Sequence, residues 1–256
     1  MVKYFLIVTI VVGLITSFLF LYKDSIFKDK IPTMMVGLPN IKSDQNINKE
    51  LKFSNPQKSA HYESNTPEHA SILAGVPVNI VIDFNFDLAK PSEIKILKDN
   101  KDVGIGETTI DSNKLTLRRK INSDVSDGLY KVEYKACWPD GSCHDGFFEF
   151  AIDKSKSKEF IDRIGKKEVT IDMNDITFNP KNVKVSKGTK IIWINTEGVG
   201  HYTNTDSHPA HSYFSDQNSK LLNKGDTFEV VFQETGIYPY HCSVHASSMT
   251  GAILVE

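Results

Sequence analysis

The chain begins with one long apolar run and then changes to short alternations of apolar and polar residues. After Lys3, the stretch YFLIVTIVVGLITSFLFLY runs for about 19 residues without a charge, and as a helix it would cross ~30 Å of hydrocarbon. The pattern predicts a transmembrane helix over residues 1–22. The competing reading is a cleaved secretory signal, which calls for a shorter apolar core and a small-residue cleavage site. The stretch ending Phe18-Leu19-Phe20-Leu21-Tyr22 offers no such site. Lys23, Lys28 and Lys30 follow the run while Lys3 alone precedes it, so charge asymmetry does not fix its orientation. The sequence has no second apolar run of that length. Both readings therefore place everything downstream outside the cytoplasm, facing the periplasm or the cell exterior.

Residues 23–66 are rich in Lys, Asn, Ser and Asp without sustained periodicity, the texture of a flexible tether. From Pro67 to Asp153 the segments VNIVIDFNFDL, SEIKILKD, NKLTLRRKI, GLYKVEYKAC and GFFEFAID alternate apolar and polar positions between Gly, Pro, Asn and Asp. That is the signature of half-buried strands at short intervals. The charged segment KSKSKEFIDRIGKK, residues 154–167, reads as a linker with a brief helical turn. A second strand pattern fills residues 168–256: EVTIDM, ITFNPKNVKVSKG, TKIIWIN, DTFEVVFQ, GIYPYHC and TGAILVE. The expected fold class is all-β, with two β-sandwich domains behind one N-terminal membrane helix.

Composition narrows the function classes. A formal net charge of -2, with Lys and acidic residues spread evenly, offers no basic stripe for a phosphate backbone, so nucleic acid is not an expected partner. There are 3 cysteines, an odd number for an oxidising compartment. Cys137 and Cys143 flank the turn Pro139-Asp140-Gly141 between two strand patterns, and facing positions across a hairpin can satisfy disulfide geometry. The alternative makes them metal ligands together with His144. In either case Cys242 has no partner.

Cys242 lies in YPYHCSVHASSMTG, where His245 completes C-x-x-H and Met249 completes H-x-x-x-M. His201 lies about forty residues upstream, just after the strand pattern TKIIWIN. Two imidazoles, a thiolate and a weak thioether are the donor set that suits copper cycling between Cu(I) and Cu(II). Structural zinc would want four firm nitrogen or sulfur donors and has no use for Met249. Cys-His nucleophilic catalysis would need a base and an oxyanion hole, for which nothing else in the sequence speaks. His241 should point the opposite way along its strand and is not counted as a ligand.

Taken together, these stretches resemble the cupredoxins of plastocyanin/azurin type. The match covers residues 168–256, including the G-x-Y-x-Y-x-C strand and the closing M-x-G-x-I-x-V. The resemblance implies a Greek-key sandwich with one type 1 copper held by His201, Cys242, His245 and Met249, and His245 as the solvent-side electron port. The SHPAH loop after His201 departs from the simplest members; its His208 and His211 are either solvent-exposed loop residues or an extra copper-capture or docking site. Residues 67–153 resemble the CopC family of copper carriers, through SDGLYKVEYKACWPDGSCHDGFFEFAI. That resemblance implies an immunoglobulin-like sandwich and makes His69 and His144 candidates for a second, Cu(II), site. Two departures stand against it: an uncleaved anchor denies His69 a free amino group, and His144 is displaced from the family's D-G-H.

The expected function is one-electron transfer outside the cytoplasm by a membrane-anchored copper protein acting with a redox partner and taking no small-molecule substrate. The alternative is a copper carrier that delivers the metal to a copper-requiring oxidase or an exporter. Catalysis is disfavoured because the sequence has no H-x-H pair for a multi-copper cluster and no C-x-x-x-C for a binuclear site.

Overall fold

The computed structural model describes residues 51–256. The membrane helix expected over 1–22 and the tether as far as residue 50 lie outside the described residues. Among the described residues no helix is long and apolar enough to cross a membrane.

The described chain is all-β and builds two sandwiches. In the first, a sheet of Tyr62–Thr66, Asn79–Phe84, Thr116–Ile121 and Gly104–Ile110 faces a sheet of Ile72–Leu73, Cys143–Ile152, Gly128–Cys137, Ala89–Lys98 and Lys101–Asp102. Between them lies a core that includes Ile80, Ile82, Phe84, Ile94, Tyr130, Phe148 and Phe150. The hairpin Gly128–Cys137/Cys143–Ile152 sets Cys137 directly opposite Cys143. The two form a disulfide, with Cα atoms 4.0 Å apart. This resolves the sequence alternatives in favour of the bridge.

The second sandwich pairs Thr177–Asn179, Glu168–Asn174, Lys190–Asn195 and Thr227–Val231 against Ile161–Asp162, Asn182–Val185, Thr250–Val255, Gly236–His241 and Asn204–Thr205. Two of its strands, Glu168–Asn174 and Lys190–Asn195, alternate strictly: in KIIWIN, Ile191, Trp193 and Asn195 face in while Lys190, Ile192 and Ile194 are half-buried. Trp193, Tyr240, Phe178 and Phe232 dominate the core, with Tyr240 set edge-on to both Trp193 and Phe178.

Two segments read as connectors are pinned. In the tether, the Ser54 amide donates to the Glu149 carboxylate. Gln57 exchanges two 2.9 Å backbone hydrogen bonds with Phe147, and Tyr62–Thr66 adds an edge strand. In the linker, Lys154–Glu159 forms a 3-10 turn capped by the Asp153 side chain, and Ile161–Asp162 pairs parallel to Asn182–Val185. Both attachments rest mainly on backbone groups, which every residue type carries, so they leave no hydrophobic period to read.

The strand Asn79–Phe84 joins the two cores. Its even residues Ile80, Ile82 and Phe84 enter the first core, while Val81, with Val78 just before the strand, belongs to the second. Around this contact the Tyr213 hydroxyl accepts from the Val78 amide and donates to the Ile237 carbonyl, each at 2.8 Å. Arg118 donates to the carbonyls of Ser212 and Tyr213. The buried Asp83 carboxylate accepts from Ser207 at 2.8 Å and Ser212 at 2.7 Å. The loop carrying His208 and His211 is therefore fastened to the first sandwich on both sides.

Candidate metal centre

Three donors converge at one end of the second sandwich. His201 follows the strand Lys190–Asn195, and the route to it is set by Asn195, whose buried amide donates to the carbonyls of Val199 and Leu222. His201 and Leu222 then exchange backbone hydrogen bonds of 3.0 and 2.8 Å. Cys242 lies just beyond the strand Gly236–His241, its amide donating to the Met249 carbonyl at 2.9 Å. The amides of His245 and Met249 donate to the carbonyls of Cys242 and His245, each at 2.9 Å. This loop holds its three candidate ligands in fixed order around one turn.

The Cys242 Sγ lies 3.6 Å from His201 Nδ1 and 3.7 Å from His245 Nδ1. Metal bonds of ~2.0–2.1 Å to nitrogen and ~2.3 Å to sulfur separate such donors by about 3.5–3.8 Å at angles between tetrahedral and trigonal. Both sulfur–nitrogen distances fit a single ion, and the three donor atoms all lie within 4.8 Å of one another. His201 Nε2 lies 2.7 Å from the Glu197 carboxylate, and donating a proton there leaves Nδ1 a lone pair for the metal. The Ile176 amide first, and then His201, hold the Glu197 carboxyl below its ordinary range, against partial burial. The Tyr202 amide, 3.4 Å from Sγ, is placed to donate to a thiolate. Met249 is 1 % exposed and packs in the same core.

Glu197 and Asn195 were not singled out from sequence, although Glu197 stands four residues before His201. In a helix that spacing marks a side-chain pair; here it falls in a loop, where it has no fixed meaning.

Residues 165–256 match the family described as copper binding proteins, plastocyanin/azurin family, and residues 62–153 match the CopC domain. Halocyanin from Natronomonas pharaonis is 33% identical over 103 residues, spanning 38% of this chain and 62% of that protein. Plastocyanin from Capsella bursa-pastoris is 31% identical over 88 residues, spanning 32% of this chain and 89% of its own length. This chain belongs to the plastocyanin/azurin family of copper-binding proteins. Among solved structures, the purple cupredoxin from Nitrosopumilus maritimus is 30% identical and covers 34% of this chain and 99% of its own, at a TM-score of 0.31. The family resemblances seen in both halves of the sequence are thus borne out.

Outside the Cys242 group the remaining candidate ligands fare differently in the two domains. In the CopC domain, His69 Nδ1 accepts from the Glu149 amide at 3.2 Å, while His144 is exposed beside Trp138. Neither joins a group of three metal-ready side chains among the described residues. In the cupredoxin domain, His208 and His211 do converge, and the third member of their group is His241. His241 stays out of the Cys242 group, in keeping with strand alternation. Burial first, and then the neighbouring imidazoles His241 and His208, push His211 down to about 4.

Proposed function

We propose that His201, Cys242, His245 and Met249 hold one copper ion as a type 1 site, and that the protein carries single electrons between redox partners outside the cytoplasm. The observation that carries this reading is the burial of the donor set. His201 and Cys242 are 0 % exposed and Met249 1 %, while His245 is the one donor that reaches solvent. Bound copper supplies a one-electron couple whose two states accept the same nitrogen and sulfur donors. The chain's part is to fix those donors: Glu197 orients His201, the Tyr202 amide steadies the Cys242 sulfur, and the loop hydrogen bonds hold His245 beside it. Val199 and Val244 are large apolar residues left exposed on the ligand-bearing loops, and Leu221 is exposed on the segment that pairs with His201, a surface suited to brief docking of a redox partner. The apolar run at 1–22 supports a membrane anchor that keeps both domains near that partner.

Copper delivery to an oxidase or exporter is the second reading, favoured by the CopC domain at 62–153. One experiment addresses both. Cu(II) is added to the protein and its visible spectrum, electron self-exchange and copper release to a chelator of modest affinity are measured. An intense thiolate-to-copper band that disappears in Cys242→Ser, with fast self-exchange and negligible release, is the outcome expected for an electron carrier. Ready release favours delivery, and a colourless, zinc-preferring protein overturns the copper assignment.

A further inference from the structure

A second set of imidazoles lies near the strand end that leads into Cys242. His241 ends the strand Gly236–His241 and is nearly fully buried. Its Nδ1 lies 2.8 Å from the Asp206 carboxylate, and its Nε2 lies 3.2 Å from His211 Nε2. The carboxylate can only accept, so the proton of His241 belongs on Nδ1 and the lone pair on Nε2. The Ser243 hydroxyl, 3.1 Å from His211 Nε2, already accepts from the Asn204 amide at 2.8 Å. The Nε2 atoms of His211 and His241 thus face one another across 3.2 Å, with the Ser243 hydroxyl beside them.

We propose that His208, His211 and His241 form a second metal site, separate from the Cys242 centre, that takes a divalent transition-metal ion of imidazole preference, copper(II) or zinc(II). One donor nitrogen from each ring lies within 4.8 Å of the others. Metal–nitrogen bonds of ~2.0–2.1 Å set two imidazole nitrogens about 2.9–3.4 Å apart at angles from 90° to tetrahedral, which brackets the 3.2 Å observed between His211 and His241. His208 is exposed, so rotation about its side-chain bonds can close the remaining distance. Asp206 does for His241 what second-layer carboxylates do for metal-bound histidines: it fixes the tautomer and orients the ring.

The site opens on a cleft of about 520 Å³ between the two sandwiches, bordered by Asp206, His208 and His241 on one side and Tyr62, Glu68 and His69 on the other. Three protein nitrogens and an open side facing a cleft leave a coordination position for water or a small ligand. The first sandwich also builds the site, because Asp83 and Arg118 fasten the loop on which His208 and His211 ride. The proposal uses none of the four residues assigned to type 1 copper, so either assignment can fail without the other.

The test loads the full chain with Cu(II) and separately with Zn(II), removes loose metal, and counts bound ions. Two coppers per chain are expected, the second adding no thiolate band and showing an electron paramagnetic resonance signal split by imidazole nitrogens. In Cys242→Ser this second signal should persist alone. His208→Ala with His211→Ala, two loop changes that spare the buried His241, should remove it while the thiolate band remains. Asp206→Asn should weaken it about 10- to 100-fold and leave the thiolate band unchanged. The zinc arm identifies the metal: tighter retention of Zn(II) at the three histidines makes this a zinc site beside a copper site. A single bound ion per chain with both metals, or a second ion that survives His208→Ala with His211→Ala, overturns the proposal.

Discussion

Met249 is the residue for which packing and chemistry compete most directly. It is buried in the same core as Trp193 and Tyr240, and its backbone closes the loop onto Cys242 and His245. A side chain in that position would be kept for volume alone. Met249→Leu separates the two roles, since leucine fills a similar space and such exchanges usually change stability by less than ~1.5 kcal/mol. If the thioether is a weak axial donor, its loss removes electron density that favours the oxidised ion, and the reduction potential rises. Voltammetry of the copper-loaded variant should show that rise with near-native unfolding; an unchanged potential leaves Met249 as a plug. His241 makes a different point about single residues. Its neighbour Cys242 is the first ligand the sequence suggests, and strand alternation turns His241 out of that group. The structure then gives His241 partners of its own in Asp206 and His211.

Among the elements, the hairpin Gly128–Cys137/Cys143–Ile152 was the most legible. Ten positions pair in unbroken register, and the turn between them faces Cys137 to Cys143. The disulfide closes a sequence separation of 6, and the loop-closure entropy of so short a loop gives roughly 2 kcal/mol. Replacing both cysteines by serine should lower the unfolding free energy by about that amount in urea titrations, and reductant should have the same effect on the native protein. The edge elements were not legible. Ile161–Asp162, Ile72–Leu73 and Asn204–Thr205 are two residues long, too short for any period, and they exist because a longer strand beside them offers free backbone groups. Asn204–Thr205 matters to function, since it pairs with Tyr240 and His241 and so leads the chain into the His208 loop.

At the scale of the whole molecule, the contact between the sandwiches turns on Asp83. Its buried carboxylate accepts from Ser64 at 3.0 Å, Thr116 at 2.9 Å, Ser207 at 2.8 Å and Ser212 at 2.7 Å. Two of these hydroxyls belong to each domain. Asp83→Ala leaves all four without this acceptor, and hydrogen bonds to a charged group are each worth ~1.5–3 kcal/mol before the hydroxyls find other partners. We expect a net loss of about 2–4 kcal/mol in denaturant unfolding. The same substitution should weaken the three-histidine site more than the Cys242 centre, because the anchored loop carries His208 and His211 while His201, Cys242 and His245 are held within the second sandwich. Chelator competition on the variant loaded at both sites measures that difference; equal weakening would mean that the damage is general.

Strand periodicity, the odd cysteine and the spacing of His201, Cys242, His245 and Met249 are read from the chain itself, and they pointed to two β domains, a candidate disulfide and a candidate donor set. They could do so because alternation along a strand dictates which side chains share a face. How the two domains meet was not legible. In VNIVIDF the residues facing the second sandwich look like any half-buried strand, and nothing in that segment says that Asp83 will find Ser207 and Ser212 more than 120 residues later. The three-histidine cluster was likewise only half visible, as SHPAH. Its third member and its orienting carboxylate come into reach through the pairing of Asn204–Thr205 with the strand that ends at His241. Contacts across such separations are set by the packing of whole sheets, and only the tertiary structure decides which side chains they bring together.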